Sequence, residues 1–310
     1  MPDQKPQQPL DPRGLLLAFS AYLLWGAFPF YFHLLAAAGP VEIIGHRIFW
    51  SFLFCIVGVL LVREWGHLRD VMRTPRLFWG LAAAGLLVSV NWLVYVWGVL
   101  NDHIVDASLG YFINPLFTVA LAVLVLGERL RTVQMVAVGI ALVAVIVIAV
   151  GYGQFPWVAL TLAVTFGLYG LVKKQVGGTV SPLVGLTVET ALLSPFALGY
   201  LLWLQFTGAS AYLANGPGLT IALTVAGAVT AVPLLMFAAA SGRIPLSMMG
   251  LIQYLTPCIQ FSIGVWFMHE AMPPSRWIGF GLVWVALVLL TVDSLRAARR
   301  PILVEPEVVN

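Results

Sequence analysis

The sequence predicts an all-α integral membrane protein with ten transmembrane helices, arranged as two inverted five-helix repeats. Three observations lead to this fold class: the composition, the distribution of basic residues, and an internal repeat. Hydrophobic residues make up 61% of the 310 positions, charged residues only 9%, and the mean hydropathy is +0.96. Soluble domains carry about 25% charged residues. The composition therefore excludes an ordinary soluble enzyme, a soluble nucleic-acid binder and a disordered protein.

The chain contains ten apolar runs, most of them long enough to cross a bilayer as a helix, which takes about 20 residues. Helices are favoured because every backbone polar group must find a partner inside lipid. Barrel strands would alternate polar and apolar residues, whereas residues 136–150 are continuously apolar. The ten predicted spans are 14–35, 42–62, 77–100, 104–126, 132–150, 155–173, 184–206, 218–240, 246–268 and 276–295.

Basic residues fall almost entirely on one side of these ten spans. Cytoplasmic loops of membrane proteins are rich in Lys and Arg, so this side is the expected cytoplasmic face, together with both tails, 1–13 and 296–310. The pI of about 9.0 is thus a sign of topology, and we expect no nucleic-acid partner. Fourteen of the sixteen basic residues lie on that side: Lys5, Arg13, Arg63, Arg69, Arg73, Arg76, Arg129, Arg131, Lys173, Lys174, Arg243, Arg296, Arg299 and Arg300.

The two halves of the chain, 14–150 and 151–295, match at a shift of 142 residues. Pro115 then falls on Pro257, and Glu128 falls on Glu270. Each half would hold five spans, and because five is odd, the second half enters the membrane from the opposite side. Inverted repeats of this kind are typical of secondary transporters, whose substrate site lies near the midplane between the repeats.

Two charged residues lie within the predicted spans at equivalent positions of the repeat, Arg47 and Glu189. A charge at the bilayer centre costs roughly 2.5–3.5 kcal/mol on insertion scales, so each needs a partner or a polar cavity. The sharpest hypothesis is an ion pair between Arg47 and Glu189. Two interpretations stay open: a fixed pair that holds two helices together, or side chains that contact substrate.

Further polar and aromatic side chains share helix faces within the spans. Single polar groups often serve only as hydrogen-bonding contacts between helices, but several converging faces favour a polar and aromatic cavity. His46, four residues after Glu42, is a candidate proton relay, as is Glu189. The candidate substrate-binding or gating residues are Arg47, Trp50, Asn91, Tyr95, Tyr111, Asn114, Glu189, Gln253 and Tyr254.

Catalytic and metal-binding motifs are missing from the sequence. There is no nucleotide-binding glycine-rich loop and no zinc-protease motif, because His269-Glu270 is not followed by a second histidine at the required spacing. Cys55 and Cys258 both sit in apolar runs, which suggests neither a disulfide framework nor a metal site. We expect no enzyme activity, no cofactor and no metal.

Several motifs resemble one family of membrane proteins. They are residues 46–51 (HRIFWS), 108–116 (SLGYFINPL), 188–190 (VET), 233–234 (PL) and 250–257 (GLIQYLTP). Their combination resembles RarD-type permeases, in the EamA family of the drug/metabolite transporter superfamily, and the resemblance covers roughly residues 14–295. It implies a ten-helix bacterial inner-membrane carrier with a central cavity, exporting metabolites, amino acids or drug-like solutes.

The resulting hypothesis is a secondary transporter that works by alternating access, with a small solute and the lipid bilayer as its partners. Segments five and ten carry almost no polar residues, and we expect them to pack at the periphery or at a homodimer contact. The alternative is a membrane sensor or structural subunit that binds a ligand without moving it. Solute flux through the isolated chain would distinguish the two.

Overall fold

The computed structural model describes residues 11–126, 131–176, 179–241, 243–244 and 246–298, and all regular structure in these residues is helical. Glu128 lies outside the described residues. A 3₁₀ turn follows α2, at Ala36–Ala38, and a π turn follows α12, at Ile263–Phe267. The helices are α1 (Pro12–Gly26), α2 (Phe28–Leu34), α3 (Gly39–Leu61), α4 (Trp65–Arg73), α5 (Pro75–Leu100), α6 (Ile104–Leu126), α7 (Thr132–Tyr152), α8 (Trp157–Val176), α9 (Pro182–Thr207), α10 (Gly216–Ser241), α11 (Leu246–Ile252), α12 (Leu255–Ser262) and α13 (Pro274–Ala298).

Seven of the described helices are long and apolar enough to cross a membrane: α3, α5, α6, α7, α9, α10 and α13. The pair α1 and α2 counts as an eighth if it is one span, bent by 41°. Two further apolar helical stretches, Trp157–Lys173 and Leu255–Phe267, are shorter. Every predicted segment therefore contains helix, while seven or eight of them meet the length and hydropathy of a span.

Two predicted segments are broken rather than continuous. The first breaks at Ala27, just before Pro29, and the ninth breaks between α11 and α12, just before Pro257. Proline lacks a backbone N–H and its ring clashes with the preceding turn, so helices bend or end near it. These breaks explain why segments one and nine are absent from the seven straight spans.

Helix α4 lies in what the sequence suggested was a simple loop between the second and third segments. Its Leu68 and Val71 are buried, whereas Trp65 and Met72 are exposed. This spacing of buried residues is that of a short amphipathic helix. A search for long apolar runs does not find such a helix, because most of its surface is polar.

The described helices of the two halves pack in matching pairs. Helix α3 lies against α9, and α7 lies against α13. The shift of 142 residues relates α1 to α8, α5 to α10 and α6 to α12. The contact of α5 with α8 therefore corresponds to that of α10 with α1, and the contact of α6 with α8 corresponds to that of α12 with α1. Helix α3 also touches α10, and α9 touches α5. Among the described residues of the first half, the fifth segment (α7) packs mainly on α6, and its main partner overall is the tenth segment (α13).

Glycines permit the closest of these contacts. A Cβ atom at Gly85 would lie 2.8 Å from the backbone oxygen of Glu189, and one at Gly227 would lie 2.3 Å from the backbone of Trp50. Gly85 and Gly227 are 142 residues apart. Backbone atoms cannot rotate away as side chains can, so the approach of α5 to α9 and of α10 to α3 depends on glycine.

Buried acids connect the two halves at one end of the helices. Glu42 accepts hydrogen bonds from the hydroxyl of Ser210, at 2.8 Å, and from the backbone N–H groups of Ala211 and Tyr212. Glu270 accepts from the first two N–H groups of α6, which have no partner within the helix. These carboxylates satisfy backbone donors that would otherwise be buried without partners.

Candidate functional site

Arg47 is buried on α3, with 4% of its surface exposed. Its Nε donates to the hydroxyl of Thr230 on α10 at 2.8 Å. The guanidinium carbon lies 4.1 Å from the ring centre of Trp92 and within 5.5 Å of those of Phe28 and Phe32. Aromatic faces attract a cation through their negative potential. We call these five residues the Arg47 cluster.

Asn91 holds two helices and one tyrosine in place beside this cluster. Its amide nitrogen donates to the backbone oxygen of Leu162 at 3.0 Å and to the hydroxyl of Thr165 at 2.9 Å, both on α8. Its amide oxygen accepts from the hydroxyl of Tyr111 at 3.3 Å. Because all three bonds are made inside the protein, this predicted site residue has a clear structural role in joining α5, α6 and α8.

Glu189 is buried on α9, with 2% of its surface exposed. Its carboxylate accepts from Lys173 Nζ at 2.7 Å and from the Tyr169 hydroxyl at 3.4 Å. Tyr169 and Lys173 are four residues apart on α8 and therefore share a face. Lys173, which ends the predicted span 155–173 and was counted with the cytoplasmic basic residues, is thus the partner of a buried acid.

The predicted ion pair between Arg47 and Glu189 is wrong in this structure. Among the ion pairs of the described residues, none joins the two, and Glu189 binds Lys173 instead. Arg47 contacts α2, α5 and α10, whereas the side chain of Glu189 contacts α8. The repeat places both residues at equivalent positions of α3 and α9, but their side chains point to different neighbouring helices.

A row of aromatic rings runs from the Arg47 cluster to Glu189. Neighbouring ring centres are 5.8–6.1 Å apart, within the usual range for interacting rings. The first ring faces the Arg47 guanidinium, and the hydroxyl of the last binds Glu189. We call this set the aromatic row: Phe32, Tyr95, Tyr111, Phe166 and Tyr169.

His46 and Trp50 belong to a different face of α3 from Arg47. The indole N–H of Trp50 donates to Nδ1 of His46 at 3.2 Å, and the His46 ring lies 4.5 Å from that of Tyr212. Nε2 of His46 lies 4.0 Å from Glu42. Because Nδ1 accepts, the proton of neutral His46 resides on Nε2. Protonation of Nδ1 would break the bond to Trp50.

Three predicted site residues, Asn114, Gln253 and Tyr254, make no contact with the Arg47 cluster among the contacts of the described residues. Asn114 is half-buried on α6, and its amide oxygen has no hydrogen-bond partner among the described residues. Gln253 is half-buried at the break between α11 and α12. Tyr254 lines an apolar groove of about 350 Å³ with Cys258, and that groove does not include Arg47.

A second, smaller cavity of about 30 Å³ lies at the opposite side of the helix bundle from Lys173, beside His103 and Asp106. His103 Nδ1 and Arg276 each lie 2.7 Å from a different oxygen of the Asp106 carboxylate. Arg276 begins the predicted span 276–295, and only 2% of its surface is exposed. This volume holds about one water molecule, so the cavity is too small for an organic solute.

Sequence reasoning missed four of the residues that surround Arg47 and Glu189: Phe28, Phe32, Thr230 and Tyr169. The pairs Phe28 with Phe32 and Tyr169 with Lys173 each have the four-residue spacing of one helix face. That spacing was visible in the sequence. The contact of Thr230 with Arg47 depends on how α10 packs on α3 and had no sequence signal.

Comparison with known proteins adds an independent finding. A model of the EamA-like transporter family matches residues 12–150. Protein RarD of Streptomyces exfoliatus is 51% identical over 93% of this chain and 90% of its own length. An uncharacterized transporter of Vibrio cholerae is 43% identical over 94% of this chain and 96% of its own length. Protein RarD of Escherichia coli is 39% identical over 93% of this chain and 97% of its own length.

One solved structure is similar in fold. It superposes with a TM-score of 0.55 and 20% sequence identity, covering 91% of this chain and 99% of the other. At this identity the similarity concerns the fold alone.

Proposed function

The chain belongs to the EamA-like transporter family, as a RarD-type permease, and we propose that it is a secondary transporter that exports a small solute by alternating access. Membership in this family makes it a multi-pass membrane transporter. The finer proposal concerns mechanism, direction and solute: metabolites, amino acids or drug-like molecules cross the bacterial inner membrane. Both termini are cytoplasmic in this proposal.

Ten spans in two inverted repeats are part of the proposal. The bent pair α1 and α2, helix α8, and the broken stretch from α11 to the π turn would each serve as one span beside the seven long helices. The packing supports two equivalent halves, because exchanging them turns each main helix pair into another observed pair. The equivalence of Gly85 and Gly227, each at a backbone-to-backbone contact, supports it further.

The observation that carries the function is the placement of Arg47 and Glu189. Two charges are buried at equivalent positions of the two halves, and the aromatic row connects them. Buried charges in a membrane are costly and mark the pathways of solutes and ions. Inverted repeats put such a pathway at the repeat interface, where rocking of one half exposes it to either side.

Reconstitution of the purified chain into proteoliposomes tests this function. A panel of radiolabelled amino acids, organic acids, amines and uncharged aromatic compounds would be measured for counterflow, in which preloaded unlabelled solute drives uptake of labelled solute. Counterflow is expected for at least one class, because alternating access exchanges solute across the membrane. Ligand-dependent thermal stabilisation without counterflow of the same ligand would instead identify a sensor.

A further inference from the structure

Arg47 is a buried cation without a matching anion in the described part of the chain. The carboxylates carried by α3 and α9 are occupied: Glu42 binds the turn at Ser210, and Glu189 binds Lys173. Arg47 itself has one side-chain hydrogen bond, to Thr230. A buried guanidinium surrounded by rings retains a strong attraction for an anion, since low dielectric weakens screening.

Two buried donors of this region have no hydrogen-bond partner among the described residues. They are Nη1 of Arg47 and the hydroxyl of Tyr95, residues that are 4% and 3% exposed. Native proteins rarely leave buried polar groups unpaired. The Tyr95 ring lies 6.0 Å from the ring of Phe32, which faces Arg47.

We infer that these two donors bind the carboxylate of the solute, and that the solute is a monocarboxylate with an apolar, preferably aromatic, body. This inference rests on the proposed transport function. An ionised carboxylate only accepts hydrogen bonds, and its planar pair of oxygens matches a guanidinium. An ammonium group on the solute would be repelled by the positive charge of Arg47. A neutral amide would leave the charge of Arg47 without a counter-ion.

The walls of the Arg47 cluster explain the choice of body and charge. Trp92, Phe28 and Phe32 offer rings around the guanidinium and few polar groups. One cation faces these rings, which suits one negative charge. A phosphate dianion would need further cations, whereas Lys173 lies at the other end of the aromatic row and is bound to Glu189.

Matched ligands of one shape test the inference directly. The probes are 3-phenylpropanoate, its amide, 3-phenylpropylamine and phenyl phosphate, followed by a set of aliphatic and aromatic monocarboxylates. Binding is measured by thermal stabilisation of the full chain, and counterflow is measured separately in proteoliposomes. We expect the acid to bind and the amide, the amine and the phosphate to bind at least about tenfold more weakly, the difference one charge-assisted hydrogen bond makes.

Three variants test whether 3-phenylpropanoate binds at Arg47 and Tyr95. Arg47→Gln is expected to weaken acid binding at least about tenfold, while Arg131→Gln, which removes the same charge from an exposed side chain, leaves it unchanged. Tyr95→Phe keeps the ring and removes the unpartnered hydroxyl. It should weaken acid binding without lowering thermal stability, because it takes away a buried donor that has no partner.

The outcomes separate this inference from the proposed function. Equal binding of acid and amide, unchanged acid binding in both site variants, or no binding by any monocarboxylate would overturn the inference, even if another solute shows counterflow. These are the results expected if Arg47 has a purely structural role. Acid binding without counterflow would support the site and overturn the transport function.

Discussion

Arg47 and Glu189 occupy equivalent positions on α3 and α9, two helices that pack against each other, yet their surroundings differ in kind. Arg47 is held by a threonine hydroxyl and three rings. Glu189 is held by an ammonium group and a phenol on one neighbouring helix. One charge is compensated inside the protein, and the other lacks a described counter-ion.

The repeat therefore determines where a buried charge lies but does not determine its partner. Equivalent helices approach the two positions, α10 beside α3 and α5 beside α9, each with a glycine at the contact. The Arg47 side chain bonds to α10, whereas the Glu189 side chain turns to α8. What those neighbouring helices carry has diverged between the halves. Among the described residues, Nη1 of Arg47 and the hydroxyl of Tyr95, both in the first half, have no hydrogen-bond partner. Equivalent positions of the two halves can therefore hold one compensated and one uncompensated charge.

The largest expected effect comes from breaking the ion pair between Lys173 and Glu189. Lys173→Met leaves the Glu189 carboxylate buried without its ion-pair partner, and we expect a loss of about 3–5 kcal/mol in the free energy of unfolding. Glu189→Gln should cost less, because 32% of the Lys173 side chain is exposed and water can solvate it. Equilibrium unfolding in mixed detergent micelles measures both.

The double variant Lys173→Met/Glu189→Gln is the control for that experiment. It removes both charges and should recover most of the stability lost in Lys173→Met, as a double-mutant cycle requires for a directly interacting pair. Additive losses would show that the two side chains do not stabilise each other.

The next effect tests whether close helix packing beside Arg47 requires glycine. Gly227→Ala would place a methyl group 2.3 Å from the backbone of Trp50, and we expect it to cost up to about 3 kcal/mol through overpacking. Gly281→Ala is the matched control, because no neighbouring atom lies within 4 Å of its Cβ position. That variant should be neutral or stabilising in thermal unfolding. Equal losses in both would argue against a tight α10–α3 contact.

A smaller effect is expected at the uncompensated side. Thr230→Val has nearly the same shape and removes the hydroxyl that accepts from Arg47 Nε at 2.8 Å. A hydrogen bond to a charged group contributes about 1.5 kcal/mol or more, so thermal stability should fall by that order. Thr230→Ser, which retains the hydroxyl, should retain most of it. A serine variant as unstable as the valine variant would point to packing instead.

The smallest effect concerns the second partner of Glu189. The bond from the Tyr169 hydroxyl is 3.4 Å long, near the limit of a useful hydrogen bond. Tyr169→Phe should therefore change the free energy of unfolding by less than about 0.5 kcal/mol. A loss comparable to that of Lys173→Met would make the phenol, rather than the ammonium group, the main partner of the acid.

Much of the helical fold could be predicted from sequence, because lipid imposes simple rules on length and composition. Each of the ten apolar segments contains helix. The predictions failed where packing, not composition, decides. Helix α4 was missed since it is short and polar on most of its surface. The sequence shows Pro29 and Pro257, but it does not show that a helix ends before each of them.

The burial of the two charged residues in the spans was predicted better than their partners. Arg47 and Glu189 are both buried, as the cost of a charge in lipid requires. Their pairing with each other failed because sequence spacing does not say toward which neighbouring helix a side chain points. Lys173 was counted among the basic residues of the cytoplasmic side because it ends the predicted span 155–173. Its position on α8, four residues after Tyr169, gives it a different role.

The glycine contacts also have a genetic consequence. Every single-base missense change at a glycine codon introduces a larger residue, so no such change preserves a contact that only a hydrogen atom fits. Codons 85 and 227 should accept almost no amino-acid replacement in a population under selection for this protein, while replacements at codons 139 and 281, where a Cβ would meet no neighbouring atom, should be tolerated. Selection should therefore act on one equivalent position in each half of the chain, at codons 85 and 227.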